Sequence, residues 1–150
     1  MSKQLIVKNS IAIKAPASKV WDALTNPKQT KKYMFGCETV SDWKAGSSLL
    51  WKGTFGGVEM VAVKGTIIKI EPQKFLEYTT IDPNSGIPDL PENYLNVTYT
   101  LSEENGETNL IIRQGDYSKV SDGEKRYNET VQGGGWSPIL IEIKKIVEGK

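Results

Sequence analysis

Hydrophobic and polar residues alternate through the first segment of the chain. Within residues 4–14, Leu5, Val7, Ile11 and Ile13 recur at one set of alternate positions, and polar residues occupy most of the other set. Because successive side chains of a β-strand point to opposite faces, this pattern predicts a strand with one buried face. The chain therefore begins, on this pattern, with a half-buried strand.

The pattern then changes to that of two short helices. Val20, Trp21 and Leu24 share one face of the first helix, which makes that helix amphipathic. Pro27 breaks the first helix and begins the second, since proline is well placed in the first turn of a helix. The second helix is predicted to end near residue 34.

A strand-like region follows and continues to residue 114. The predicted strands cover residues 38–40, 48–53, 58–70, 74–81, 94–101 and 108–114. Gly56-Gly57 and Asn105-Gly106 predict tight hairpin turns. Gly65, inside the longest strand, indicates a bulge or a bend. The segment 82–92, with three prolines, is predicted to be an irregular loop.

The last predicted element is a long helix over residues 122–147. Its apolar face consists of Trp136, Ile139, Leu140, Ile143, Ile146 and Val147. Gly133-Gly134-Gly135 interrupts it, and each glycine costs about 1 kcal/mol relative to alanine in a helix interior. These glycines are compatible with a break or late start of the helix, with a close approach by another group, or with space for a ligand.

The order of these elements predicts the fold class. A strand, two short helices, a run of antiparallel strands and a final helix indicate an α+β fold in which a curved antiparallel sheet wraps around the C-terminal helix. The length of 150 residues suits a single domain over residues 1–150.

Composition narrows the classes of function. The net charge of +1 argues against a nucleic-acid partner, because such proteins usually carry a basic surface. No apolar run approaches the roughly 20 residues of a membrane-spanning helix. The single cysteine, Cys37, and the lack of a signal-like stretch after Met1 favour a cytoplasmic location. No membrane partner is expected.

The chain contains no histidine. Histidine is the usual acid–base group near neutral pH and the commonest metal ligand. Its absence excludes Ser-His and Cys-His catalysis and histidine-based metal sites. Accordingly, no catalytic residue, metal or cofactor is predicted.

Several groups of residues carry a resemblance to a known family. They are Ile13-Lys14-Ala15-Pro16, Val20 to Pro27, Ser41 to Ser47, Trp51-Lys52-Gly53, Gly65-Thr66-Ile67 with Glu71-Pro72, Leu101 through Thr108-Asn109-Leu110, and Gly135-Trp136 with Leu140 and Ile143. In this order and spacing they resemble the Hsp90-ATPase-activator-homologue family. The resemblance implies the helix-grip fold of the START-like, birch-pollen-allergen-like (SRPBCC) superfamily. It also implies an apolar ligand between sheet and helix, or a chaperone partner.

Ten residues are candidates for the site of such a ligand. They are Trp43, Trp51, Phe55, Met60, Tyr78, Tyr99, Gln114, Tyr117, Tyr127 and Trp136. Ligand pockets are mostly apolar with a few placed polar groups, which this set provides. The alternative for each aromatic residue is ordinary core packing. Arg113 either binds a ligand carboxylate or pairs with a surface acid, and the alternation directs it toward solvent.

Three functional hypotheses follow. The first is a non-enzymatic binding module for a hydrophobic or aromatic small molecule, held in a cavity between the sheet and the C-terminal helix. The second is a protein–protein role as activator of a chaperone ATPase. The third is a cyclase- or hydratase-like enzyme that uses tyrosine and carboxylate groups, which requires such a group with a perturbed pKa inside the cavity.

Overall fold

In the computed structural model, one curved sheet of seven antiparallel strands forms the body of the protein. The structure describes residues 4–34, 36–84 and 86–149. The strands are β1 (Val7–Ile13), β2 (Glu38–Ser41), β3 (Ser48–Phe55), β4 (Val58–Glu71), β5 (Phe75–Thr80), β6 (Leu95–Glu104) and β7 (Glu107–Gly115). Their order across the sheet is β1-β7-β6-β5-β4-β3-β2, so β1 and β7, the first and last strands along the chain, are neighbours in the sheet.

The helices lie before and after the main run of strands. They are α1 (Ala17–Thr25), α2 (Pro27–Tyr33), α3 (Gly123–Gln132) and α4 (Ser137–Glu148), and single 3₁₀ turns cover Pro91–Asn93 and Tyr117–Lys119. The helix-grip class and the two short helices after the first strand are thus confirmed. No helix within the described residues has the length and apolar character needed to cross a membrane.

The predicted C-terminal helix over 122–147 is divided into α3 and α4. Gly134 and Gly135 have φ angles of 94° and 59°, which end the helical path between the two segments. At Gly135 a Cβ atom would lie 2.5 Å from Oδ1 of Asn9 in β1. The break predicted at the glycines is therefore present, and at Gly135 it accompanies a close approach to β1.

Both predicted hairpin turns are also present. Asn105 and Gly106 connect β6 to β7 with φ angles of 55° and 77°. Gly56 and Gly57 connect β3 to β4 with φ angles of 59° and 81°. Such left-handed residues match the twist of the flanking strands, and this is why the sequence signal was specific. Of the predicted loop 82–92, residue 85 lies outside the described residues.

The core lies between the inner face of the sheet and helix α4. The buried residues on this side of β6, β7 and α4 are Val97, Tyr99, Leu101, Leu110, Ile112, Leu140 and Ile143. The antiparallel register of β6 and β7 pairs Val97 with Gln114 and Tyr99 with Ile112. Alternation along this hairpin assigns Val97, Tyr99, Leu101, Leu110, Ile112 and Gln114 to the inner face, and the structure confirms this assignment.

Candidate functional site

A cavity opens between the inner face of the sheet and the start of α4. Its volume is about 360 Å³, within the roughly 300–1,000 Å³ typical of small-molecule sites. Its described lining residues are Met34, Cys37, Trp51, Phe55, Ala62, Val63, Tyr78, Thr80, Asp82, Val97, Gln114, Trp136 and Ile139. The lining thus comes from α4, five strands and the segments that follow α2 and β5 and precede α4.

Aromatic rings form much of the wall. Trp51 and Phe55 belong to β3, Tyr78 belongs to β5, and Trp136 precedes α4. Trp51 and Tyr78 are buried, as is Trp136 at 9% exposure. A wall of this composition favours a flat apolar ligand, since aromatic rings offer large contact areas at low conformational cost.

Tyr99 supports two of these rings from behind the wall. Its ring meets Tyr78 edge-on at a centroid distance of 5.5 Å and meets Trp136 edge-on at 6.2 Å. The hydroxyl groups of Tyr78 and Tyr99 are 2.7 Å apart and share a hydrogen bond. Burial raises the pKa of both phenols well above the usual value, so both are neutral near neutral pH.

A second hydrogen bond orients Trp136. Its indole Nε1 donates to Oε1 of Gln114 over 3.1 Å. The backbone N–H of Trp136 donates to Oδ1 of Asn9 over 2.9 Å, and Asn9 donates in turn to the Ser137 hydroxyl. Strands β1 and β7 therefore hold the ring of Trp136 and the first turn of α4 in place.

The polar part of the lining is small. The Cys37 thiol is buried, and burial raises its pKa, which disfavours the reactive thiolate. Asp82 is an exposed residue of the lining, and Thr80 is half-buried. No lysine or arginine is among the described lining residues. Among the described lining residues, Asp82 is the one carboxylate and Tyr78 is the one phenol.

The structure brings together half of the predicted site residues. Trp51, Phe55, Tyr78, Gln114 and Trp136 line the cavity, and Tyr99 lies directly behind two of them.

The other predicted residues lie elsewhere. Trp43 packs against the core, and Met60 pairs with Gly53 on β3. The rings of Tyr117 and Tyr127 meet each other at a centroid distance of 5.9 Å. None of these four is part of the lining.

Adjacent residues Ala62 and Val63 line the cavity although the alternating pattern assigns them to opposite faces. Trp51 pairs with Val63, whereas Lys52 pairs with Val61, so β4 has an extra residue at this point. Such a bulge disrupts the alternation and re-aims side chains. The sequence therefore carried no signal for this part of the wall.

Three charged residues of the strands and their ends, Arg113, Glu77 and Asp116, are outside the described cavity lining. Arg113 is exposed on β7, consistent with the direction predicted from alternation. Glu77 accepts a hydrogen bond from Asn96 on the exposed side of the sheet, and Asp116 accepts one from the backbone of Leu5. The enzymatic hypothesis required a tyrosine or carboxylate with a perturbed pKa inside the cavity, and among the described lining residues Tyr78 is such a group, because burial raises the pKa of its phenol.

Comparison with known proteins agrees with this architecture. The model of the family described as "Activator of Hsp90 ATPase homolog 1-like protein" matches residues 14–148. The solution structure of ChR145 from Cytophaga hutchinsonii is 38% identical, with a TM-score of 0.76, and the match covers 99% of this chain and 97% of that one. No curated protein matches the chain in sequence.

Two further structures are similar in fold. The Aha1 dimer from Colwellia psychrerythraea is 19% identical with a TM-score of 0.67, over 95% of this chain and 96% of that one. DynU16, a protein in the dynemicin biosynthetic locus, is 18% identical with a TM-score of 0.71. That match covers 97% of this chain and 48% of the DynU16 chain.

Proposed function

The chain belongs to the Activator of Hsp90 ATPase homolog 1-like protein family, and we propose that it is a binding module for a hydrophobic or aromatic small molecule. The cavity between the sheet and α4 is the observation that carries this proposal. It combines a volume of about 360 Å³ with walls of Trp51, Phe55, Tyr78 and Trp136.

Ordinary core packing is a poorer explanation for these rings. Protein interiors are close-packed, and voids larger than a water molecule are few. The cavity reaches the exposed residue Asp82, so apolar groups of its lining face water in the absence of a ligand. A ligand that fills the cavity buries this apolar surface.

A binding role also suits the chemistry of the lining. The described lining offers one phenol and one thiol, both with a pKa raised by burial, and one amide, and these groups can orient a ligand by hydrogen bonds. The similarity in fold to DynU16, a protein in a biosynthetic locus, supports a small molecule as the ligand.

Titration with N-phenyl-1-naphthylamine, a neutral apolar dye whose fluorescence rises in apolar surroundings, tests the proposal. We expect saturable binding to the wild-type protein. Ala62→Trp fills the cavity with an indole and is expected to weaken binding at least tenfold, a loss of about 1.4 kcal/mol.

Ala45→Trp is the matched control, because Ala45 is exposed in the turn before β3. It adds the same side chain without touching the cavity, so binding is expected to stay as in the wild type. Absence of saturable binding, or equal binding by the two tryptophan variants, would refute the proposal.

The family description also supports a second candidate, a role as activator of a chaperone ATPase. Addition of the protein to an ATPase assay with an Hsp90-type chaperone from the same source distinguishes this candidate. Faster ATP turnover that Ala62→Trp leaves unchanged would assign activation to a surface outside the cavity.

A further inference from the structure

Two polar side chains of the cavity wall lie in one row across the sheet. Tyr78 on β5 pairs with Val97 on β6, and Val97 pairs with Gln114 on β7. All three residues line the cavity. Tyr78 and Gln114 are therefore two strand spacings apart, about 10 Å between their Cα atoms.

The hydrogen bond to Trp136 determines which end of the Gln114 amide is available. An indole Nε1–H is a donor only, so the Gln114 atom that it contacts is the amide oxygen. Among the described residues, Gln114 makes no other side-chain hydrogen bond. Its NH₂ group is thus left free to donate to another molecule.

One of the two hydroxyl protons of Tyr78 and Tyr99 takes no part in the hydrogen bond between them. The bond between Tyr78 and Tyr99 consumes one of the two hydroxyl protons, and within the described residues neither hydroxyl has another partner. If Tyr78 donated, the remaining proton would belong to Tyr99, which lies behind the wall and has no acceptor there. A buried proton without an acceptor is unfavourable.

If Tyr99 is the donor and Tyr78 the acceptor, no proton is left buried without an acceptor once a ligand is bound. When Tyr99 donates to Tyr78, the free proton belongs to Tyr78, which lines the cavity. Burial keeps the pKa of this phenol high, so the proton is retained near neutral pH. Tyr78 and Gln114 then both present donors to a ligand.

The charges of the lining exclude one further class of ligand. Among the described lining residues, Asp82 is the one acidic residue, and none is basic. An anionic ligand would lose its hydration in the cavity without gaining a cationic partner. A neutral ligand avoids that loss.

We infer that the cavity binds a neutral aromatic ketone or quinone whose carbonyl oxygen accepts a hydrogen bond from Tyr78 or Gln114. This inference rests on the proposed binding function and names its ligand class. Flat rings fit the aromatic wall. The carbonyl oxygen supplies a hydrogen-bond acceptor for the Tyr78 hydroxyl or the Gln114 NH₂ group, which have no acceptor among the described residues.

Equilibrium dialysis with three naphthalenes of similar size tests the inference. The compounds are 2-acetylnaphthalene, a neutral ketone; 2-ethylnaphthalene, which has no acceptor; and 2-naphthoate, an anion. We expect the ketone to bind about tenfold more tightly than the hydrocarbon, since one or two hydrogen bonds distinguish them. The anion is expected to bind more weakly than the ketone.

Two variants assign the preference to the proposed donors. Tyr78→Phe removes one donor, and Gln114→Glu keeps an oxygen for Trp136 while it removes the NH₂ group. We expect one or both to reduce the ketone-to-hydrocarbon affinity ratio several-fold. Tyr94→Phe is the matched control, because the Tyr94 hydroxyl donates to Asp89 outside the cavity.

The carbonyl stretch of bound 2-acetylnaphthalene gives an independent spectroscopic readout. A shift to lower frequency in the wild type, reduced in Tyr78→Phe or in Gln114→Glu, would support the inference. Equal affinity for ketone and hydrocarbon, or tight binding of the naphthoate, would overturn it and leave the binding function standing. If neither the ketone nor the hydrocarbon binds, both the inferred ligand class and the proposed binding function are overturned.

Discussion

Gly135 shows how one residue permits the helix α4 to approach the sheet. Its φ angle of 59° is in the left-handed region, and a Cβ atom there would lie 2.5 Å from Oδ1 of Asn9 and 3.0 Å from Cγ1 of Val7. Asn9 binds the backbone N–H of Trp136 and the hydroxyl of Ser137. The missing side chain thus lets β1 contact the first turn of α4.

Gly135→Ala is expected to destabilise the protein by roughly 2–4 kcal/mol, because it combines a strained backbone angle with a clash against β1. Urea denaturation measures this change in the free energy of unfolding. Gly133→Ala is the control, since Gly133 has φ −80° and its Cβ atom would make only ordinary contacts at 3.5 Å. Equal destabilisation by the two variants would contradict the account.

At the scale of elements, strand β4 connects the two halves of the sheet. Its residues up to Thr66 pair with β3 and those from Ile67 onward pair with β5, and Gly65, opposite Leu49, lies close to this change of partner. A Cβ atom at Gly65 would collide with the backbone carbonyl of Thr79. The predicted bulge or bend at Gly65 corresponds to a close approach of β5, next to the register shift between Ile67 and Lys69.

Gly65→Ala is expected to cost about 3 kcal/mol or more, because a backbone carbonyl cannot rotate away as a side chain can. Thr66→Ala provides the control at the next position, where the side chain is exposed. We expect that variant to change the free energy of unfolding by less than about 1 kcal/mol. Thermal and urea unfolding monitored by circular dichroism would show a comparable loss in both variants if the close approach were unimportant.

For the whole molecule, Asp116 connects the segment before β1 to the segment after β7. Its carboxylate accepts a hydrogen bond from the backbone N–H of Leu5 over 2.9 Å and others from Ser118. The backbone N–H of Tyr117 donates a hydrogen bond to the carbonyl oxygen of Leu5. The hydrogen bonds to the carboxylate, of which the one from Leu5 has the largest effect, hold the pKa of Asp116 below its usual value of 3.8.

Since the pKa of Asp116 is lower in the folded state, its contribution to stability is present above pH 3.8 and is lost as pH falls through the folded value. We therefore expect Asp116→Asn to lower the urea midpoint at pH 7, and the difference from wild type to shrink as the pH falls below about 4. Asp42→Asn, at an exposed position, is the control. A difference that is constant with pH would refute this role.

Part of the candidate site followed from local pattern, and part did not. Alternation assigned Val97, Tyr99 and Gln114 to the inner face, because the pleat of a strand imposes a period of two. The pattern could not distinguish Trp51, which lines the cavity, from Trp43, which does not. That distinction depends on how the sheet curves and on which rings the helix covers.

The sequence by itself determined the class of fold, the two short helices, the hairpin turns and the break at the glycines, because each depends on residues close together in the chain. Only the tertiary structure decided the cavity and the partners in its hydrogen bonds. Tyr78 meets Tyr99, and Gln114 meets Trp136, across about 20 residues in each case. Those contacts arise from strand pairing and helix packing, which no local pattern specifies.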